Sequence, residues 1–455
     1  MKAKFFELKY SLALTGLFSN FTYNNYILNL LCQIKMKKNI VIKIIKFWKI
    51  LGPGLITGAS DDDPSGIATY SQAGAAYGLA TLWTALITFP LMASIQEMCA
   101  RIGLVTSQGL TGVIKENYSK FILYLMLLFS FPAIILNISA DIAGMGAVSN
   151  LLFPSINAAY FCVGFTTLLI LSIVFLPYYK LAGILKYLCT FLLVYIIVPF
   201  LYKQNWSIVL KKAIVPTIKF DKPFINLIVA ILGTTISPYL FFWQATMEVE
   251  EMRLKKTHLI LNKKVMRAMK QDIDFGMLFS NIVMFFIILT TGTVLFNSGI
   301  HQIDTVEQAA KALKPLAGNA AYALFSIGVV GTGLLAIPVL SGSLSYIFTE
   351  TFGWEEGLNK KFRQAKPFYI IIIFSLTIGL LLNYIGISPI KALIYSAVLY
   401  GLTAPILIAI ILHIANNKMV MGDYTNGKIS NLLGFTTLLL MTIAAVGLIY
   451  MQLFN

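Results

Sequence analysis

The residues best suited to chemistry in this 455-residue chain are three consecutive acids, Asp61, Asp62 and Asp63, which lie inside an apolar segment. A charged side chain at membrane depth costs at least about 2.5–3.5 kcal/mol on insertion scales, so such groups usually face a bundle interior, a cavity or an ion. Pro64 removes a backbone donor, and Gly66 weakens a helix by about 1 kcal/mol relative to alanine. The stretch therefore predicts an unwound ion-binding site within a membrane helix.

The segment Gly233–Tyr239 carries a second interruption, with Pro238 inside an apolar run and hydroxyl groups on Thr234, Thr235 and Ser237. A lone proline kink is common in membrane helices. Two interrupted helices at corresponding positions of two halves, however, are the pattern of an inverted-repeat transporter with a central site. The half-helix ends at such breaks leave backbone carbonyls that can face a cation.

Together the two interruptions predict an all-oxygen cation site. Asp63 supplies formal charge, and no histidine or cysteine lies near either break. Such ligation suits hard divalent cations such as Mg2+ and Mn2+ and disfavours a tetrahedral zinc site. Because three adjacent acids on a broken segment cannot all face one ion, Asp61 is interpreted as a residue of the ion pathway, and Asp62 is assigned no role at the site.

Each of these polar residues also has a structural interpretation. The Asp63 carboxylate could pair with a lysine or a helix terminus, and the hydroxyls of Thr235 and Ser237 could bond to their own helix backbone instead of an ion or its waters. Asp141, in a later apolar segment, is either a polar residue of the pathway or a member of a pair within the bundle.

Composition identifies the elements that must position these residues. The chain is 58% hydrophobic and 12% charged, against about a quarter charged in soluble domains. Apolar segments of about 20 residues, long enough to cross a bilayer, recur along it and predict an all-α polytopic membrane protein. We expect eleven spans: Ile50–Ala76, Ala80–Val105, Phe121–Leu152, Ala158–Leu176, Leu181–Tyr202, Phe224–Met247, Phe275–Phe296, Ala320–Thr349, Phe368–Ile385, Pro389–Ala415 and Leu432–Leu453.

Residues 1–49 are interpreted as an N-terminal extension and a basic cytoplasmic segment, and residues 50–455 as one transporter domain. The domain divides into a first repeat (about 50–202), a second repeat (about 224–415) and an additional helix (about 432–453). The lysines before the first span favour a cytoplasmic N-terminus in a plasma (inner) membrane. The net charge of +16 is assigned to cytoplasmic loops and not to nucleic-acid binding. One predicted external loop disagrees, because it contains Lys203, Lys211, Lys212, Lys219 and Lys222.

The stretch from Gly52-Pro53-Gly54 through Asp63-Pro64-Ser65-Gly66 to Gln72-Ala73-Gly74 resembles the first helix of the NRAMP metal transporters. The similarity continues through Leu82-Trp83 and Gln96 and extends over about residues 50–455. It implies an eleven-helix, inverted-repeat (5+5) bundle of the amino-acid-transporter (LeuT) type, with helices 1 and 6 broken, that moves divalent metals by alternating access.

The departures from the family pattern bear on the metal. The usual Asp-Pro-Gly-Asn motif is Asp63-Pro64-Ser65-Gly66 here, and the usual Ala-x-x-Met-Pro-His motif is Thr234 to Tyr239. The resemblance implies that the Asp63 carboxylate and the Thr234 carbonyl bind metal, while Gly66 replaces an asparagine and Ser237 replaces a soft thioether. Losing these ligands suits a partly hydrated Mg2+. This pattern, like the segment Gly331–Pro338, resembles the magnesium-transporting branch of the family.

The same comparison predicts transport without proton coupling. Gly144 stands where the family has a glutamate near Asp141, and Tyr239 and Gln244 occupy two histidine positions. A tyrosine hydroxyl ordinarily has a pKa of about 10, and glutamine does not titrate. We therefore expect a secondary transporter that imports Mg2+, with Mn2+ also accepted.

Two other transport functions remain as alternatives. They are a proton-coupled Mn2+/Fe2+ importer and, on the same fold, a sodium-coupled amino-acid transporter. No nucleophile–base pair or zinc motif indicates an enzyme. The expected partners are the metal ion and the lipid bilayer, with no cofactor and no nucleic acid, and the oligomeric state stays open.

Overall fold

The computed structural model describes residues 52–454, apart from 177–179, 181–182, 185–195, 198, 201–203, 255–260, 314–317, 319–320 and 387. The predicted N-terminal extension and most of the predicted fifth span lie outside the described residues. All regular secondary structure within them is helical. The expectation of an all-α protein is therefore confirmed.

The helices are numbered here in chain order. They are α1 (Pro53–Asp61), α2 (Pro64–Tyr77), α3 (Trp83–Thr106), α4 (Leu110–Asn117), α5 (Lys120–Leu152), α6 (Ala158–Phe175), α7 (Trp206–Ile214), α8 (Lys222–Thr235), α9 (Pro238–Leu254), α10 (Lys263–Val294), α11 (Val306–Ala310), α12 (Ala321–Phe352), α13 (Lys366–Leu382), α14 (Pro389–Asn416), α15 (Lys418–Met421) and α16 (Lys428–Phe454).

Seven helical segments among the described residues are long and apolar enough to cross a membrane, and α13 is a shorter apolar helix. Those seven segments are α5, α6, α8 with α9, α10 and its short continuation, α12, α14 and α16. Each predicted span other than the fifth overlaps a described helix or helix pair. Among the spans that the structure describes, the first and sixth are divided into half-helices, as expected.

Both breaks have the same backbone design. The first span stops at Asp61 and restarts at Pro64, and the sixth stops at Thr235 and restarts at Pro238. Proline fits the first position of a helix because its missing N–H would have no intrahelical partner there. Two residues between the half-helices therefore leave the helical path at each break.

Close packing fixes the broken helices in the core. Every residue of α1 is buried, and this half-helix lies along α10. A methyl group on Gly58 would lie 2.1 Å from the carbonyl oxygen of Gly276, so only glycine permits this approach. A methyl group on Gly233 of α8 would lie at the same distance from the carbonyl oxygen of Ala397 in α14. Meanwhile α5, α12 and α13 pack on one another beside the breaks.

Candidate metal-binding site at the two helix breaks

The Asp63 carboxylate lies at the start of α2 and is almost completely buried. Its Oδ1 accepts hydrogen bonds from the backbone N–H of Gly66 and from Ser65 Oγ, each at 2.7 Å. Its Oδ2 accepts a hydrogen bond from Asn137 Nδ2 at 2.8 Å. Asp63 therefore caps the half-helix, whose N-terminal dipole favours a negative charge. The alternative interpretation, that the Asp63 carboxylate caps a helix terminus, is therefore correct as far as it goes. The three donors are all neutral, however, and no positive charge compensates the carboxylate.

The second break faces the first across Gly66. Thr234 Oγ1 lies 3.5 Å from Ser65 Oγ, and a methyl group on Gly66 would lie 3.4 Å from Thr234 Oγ1. The same methyl group would lie 3.1 Å from the carbonyl oxygen of Asp61. Because Gly66 has no side chain, the two breaks can approach each other closely. In this conformation their atoms fill the space that a side chain at Gly66 would occupy. The structure therefore places Gly66 and Thr234 next to the Asp63 cap.

The hydroxyls of Ser237 and Thr235 are bonded to backbone carbonyls of α8. Ser237 Oγ contacts the carbonyl oxygens of Thr234 and Gly233, and Thr235 Oγ1 donates to the Ile231 carbonyl at 2.6 Å. The Thr234 carbonyl, which the resemblance implies as a metal ligand, is therefore occupied by a hydroxyl in this conformation. Each hydroxyl keeps lone pairs that can accept a further hydrogen bond.

Asp61 and Asp62 point toward α10 and away from the Asp63 partners. Ser280 Oγ lies 2.9 Å from Asp61 Oδ2 and 3.4 Å from Asp62 Oδ1. The remaining oxygen of each carboxylate has no hydrogen-bond partner although both residues are fully buried. Across the described ranges, no three His, Cys, Asp or Glu side chains converge on one point. The three adjacent acids do not form one ion cage.

Asp141 lies one helical turn after Asn137 on α5, and the two side chains are 3.5 Å apart between Asn137 Nδ2 and Asp141 Oδ2. Asn137 Oδ1 also accepts a hydrogen bond from Ser396 Oγ of α14 at 2.9 Å. Asn137 therefore connects Asp63 to both α5 and α14. Sequence reasoning missed it, although its spacing of four residues from Asp141 places both on one helix face.

Tyr239 and Gln244 tie α9 to α1. Tyr239 Oη donates to the carbonyl oxygen of Ser60 at 2.9 Å, and Gln244 Oε1 accepts from Thr57 Oγ1 at 2.5 Å. Gln244 Nε2 in turn donates to Glu248 Oε1 at 2.9 Å. The two residues at the family's histidine positions thus hold the half-helices against each other.

The candidate site is closed in this conformation. The side chains of Asp63, Thr234 and Ser237 are almost completely buried. A cavity of about 20 Å³ adjoins Pro64 and is bounded by Ser71 and apolar neighbours. This volume accommodates about one water molecule, so an ion has no open path on that side.

The fold and the site define an integral membrane transporter in which two broken helices meet in the core. Residues 54–451 match the Nramp family, described as natural resistance-associated macrophage protein-like. The chain therefore belongs to this family, as its motifs suggested.

Relatives and solved structures agree with that family. The chain is 25% identical over 400 residues to a divalent metal cation transporter MntH of Caldanaerobacter subterraneus, covering 86% of this chain and 90% of the relative. It is 24% identical to the MntH of Chromohalobacter salexigens, with 83% and 85% covered. A manganese transporter of Eremococcus coleocola has the same fold, with a TM-score of 0.67, 19% identity and 89% and 87% of the two chains covered.

A more distant likeness is to the fold of another transporter. The nucleobase-cation-symport-1 family transporter Mhp1 in a closed conformation aligns with a TM-score of 0.52 and 13% identity, covering 89% of this chain and 93% of the other. At this identity the likeness concerns the fold alone.

Proposed function

We propose that this protein carries divalent metal cations across a plasma membrane by alternating access, and that the ion binds between the two helix breaks. The observation that carries the proposal is the buried Asp63 carboxylate, which has only neutral hydrogen-bond partners. One of those donors, Ser65 Oγ, also lies 3.5 Å from Thr234 Oγ1 at the second break. A cation supplies the missing compensation. The names of the MntH relatives support a divalent metal as the substrate.

The proposed ligands are the Asp63 carboxylate, the Thr234 carbonyl and bound waters. Ion binding requires the Ser237 hydroxyl to leave the Thr234 carbonyl, after which Ser237 and Thr235 can hold waters of the ion. Gly66 lets the ion keep these waters once the two breaks separate. Access from either side requires the half-helices to tilt against the packed helices α5, α12 and α13.

Within this function we propose Mg2+ as the preferred ion, with Mn2+ also accepted. The proposed ligands are a carboxylate, a carbonyl and water, all of them oxygen groups, which hard cations prefer. A thioether lies near the second break, because Met284 Sδ is 3.9 Å from Thr235 Oγ1. The Thr235 hydroxyl donates its proton to the Ile231 carbonyl at 2.6 Å, so its contact with this sulfur is a weak one. Ser237 occupies the position where the family has its thioether.

We propose further that transport is not coupled to protons, because Tyr239 and Gln244 serve as ties between α9 and α1. A proton-coupled Mn2+/Fe2+ transporter is the second candidate. It is favoured by the buried Asp141, whose Oδ1 has no hydrogen-bond partner, and by the likeness to a manganese transporter. An amino-acid substrate is disfavoured because Asp63 occupies the helix N-terminus that a substrate carboxylate would need.

Proteoliposomes that contain an ion-sensitive dye and a pH dye test both proposals in one experiment. We expect Mg2+ and Mn2+ to enter without acidification of the lumen, and protein-free vesicles to admit neither ion. Entry of Mn2+ without Mg2+ would show the magnesium proposal to be wrong. Acidification that accompanies metal entry and is lost in Asp141→Asn would establish the proton-coupled function, and entry of no metal would refute transport altogether.

A further inference from the structure

The lysine-rich segment before α8, residues 206–222, has no role in the proposed metal site. Its lysines oppose the orientation that the other loops favour. Within it, α7 buries Val209 and Ala213 and exposes Trp206, Leu210 and Ile214. A basic helix with exposed apolar side chains is typical of segments that lie in the membrane interface.

An apolar cavity of about 320 Å³ adjoins this segment. It lies between α3, residues 218–220, α8 and the additional helix α16, and its walls are almost entirely apolar. Among the lining side chains are Trp83, Phe224, Ile228, Leu440 and Met451. Its volume falls within the range of about 300–1,000 Å³ that is usual for ligand pockets. A flexible hydrocarbon chain fits these walls better than any polar ligand.

The edge of the cavity is basic. Lys219 is exposed and lies between Ile218 and Phe220, which both line the cavity. Lys212 Nζ lies 3.5 Å from Thr217 Oγ1, one residue before that lining segment. The segment is anchored to α3, because Trp83 Nε1 donates to the Thr217 carbonyl at 3.3 Å. Lys219 Nζ lies 5.1 Å from the centroid of the Tyr77 ring, which is not part of the cavity wall. The positive charges therefore lie next to the lining segment and do not enter the apolar cavity.

Two more residues complete this edge. Lys222 is exposed at the first position of α8, two residues before the cavity-lining Phe224. Asp221 is the adjacent acid, and its Oδ1 caps α8 by accepting from the N–H of Phe224 at 2.9 Å. Within residues 211–222 the balance is four lysines to one aspartate, so the edge favours an anion.

We propose that this cavity binds an acyl chain of one anionic phospholipid, whose phosphate is held by Lys212, Lys219 and Lys222. Basic pockets between membrane helices are suited to anionic headgroups, and lysine binds phosphate as a point charge. A zwitterionic lipid or a detergent could fill the apolar part but would lack the net negative charge that the lysines complement. The bilayer supplies this lipid directly, and the lipid phosphate would neutralise the lysines of the basic segment.

The lipid would also contact the half-helix that forms the second break. Leu232 lines the cavity, and Thr234 of the candidate metal site follows two residues later on α8. An acyl chain in the cavity would therefore support α8 on the side away from its glycine contact with α14.

Native mass spectrometry of the delipidated full-length protein tests the site. Phosphatidylglycerol and phosphatidylcholine with identical acyl chains are titrated separately. We expect one phosphatidylglycerol per protein, bound about tenfold more tightly than phosphatidylcholine, because only phosphatidylglycerol has the net negative charge that the lysines complement. The Lys219→Gln/Lys222→Gln double variant should remove that preference and keep weak binding of both lipids.

A cavity-filling variant tests the apolar part independently. Gly447 lines the cavity, and no atom lies within 4 Å of an added Cβ, so Gly447→Leu should fold and bind phosphatidylglycerol about tenfold more weakly. The matched control is Gly164→Leu on α6, where an added Cβ also meets open space and no loss is expected. Equal affinity of the wild type for both lipids would refute the headgroup site. Undiminished binding by Gly447→Leu would refute the cavity as the acyl site.

Discussion

The two helix breaks share one backbone design and differ in chemistry. Each places two residues outside the helix and restarts with a proline. The first break contains Asp62, whose Oδ2 has no hydrogen-bond partner, and Asp63, whose oxygens accept only from neutral donors. The second contains Ile236 and Ser237, and the Ser237 hydroxyl is satisfied by the Gly233 and Thr234 carbonyls at the end of α8.

This difference assigns separate tasks to the two breaks. A buried carboxylate without a counter-charge is costly in a membrane, whereas a hydroxyl bonded to its own backbone costs little. The first break should therefore determine how tightly a cation binds. At the second break, residue 237 offers a hydroxyl oxygen as serine and would offer a sulfur as methionine. This break should therefore determine which cation is preferred.

The largest expected effect is a difference in metal affinity between substitutions of Asp63 and Asp62 at the first break. Asp63→Asn should weaken Mg2+ and Mn2+ binding by more than about 100-fold, because it removes the charged ligand, while outer-sphere changes cost about 10–100-fold. Asp62→Asn is the matched control, since its carboxylate faces Ser280, and it should weaken binding by less than about tenfold. Calorimetric titration of both variants measures the affinities. The opposite order would move the ion to the α10 side of the break.

Much of this comparison could be predicted from the sequence, because prolines and acids inside apolar spans are strong local signals. Both breaks, the buried acids and the convergence of Asp63 with Thr234 follow from those signals and the family motif. Asn137 could not be assigned with the same force, because its contacts to Asp63 and Ser396 depend on the packing of α5 against α2 and α14. Whether the Thr234 carbonyl is free or bonded to a hydroxyl likewise depends on the rotamer of Ser237, which no sequence pattern encodes.

An intermediate effect tests selectivity at the second break. Ser237→Met introduces a thioether at the break and should shift the Mn2+/Mg2+ affinity ratio toward Mn2+ by about tenfold, with Cd2+ binding strengthened as well, because soft sulfur favours these metals. Met284→Leu is the control for a thioether that is already nearby, and it should leave the ratio unchanged. An unchanged ratio in Ser237→Met, or a changed one in Met284→Leu, would contradict the division of tasks between the breaks.

The smallest expected effect concerns Thr235, which lies at the second break but bonds to the Ile231 carbonyl of its own helix. Thr235→Val keeps the shape and removes the hydroxyl, and metal affinity should change by no more than about threefold, since hydrogen bonds within membrane bundles average about 0.6 kcal/mol. The same calorimetric titration measures the change, and Thr57→Val, which removes a bond to Gln244 away from the breaks, is its control. A loss of tenfold or more in Thr235→Val alone would show that this hydroxyl holds the ion or its water, and would make the second break a contributor to affinity as well as to selectivity.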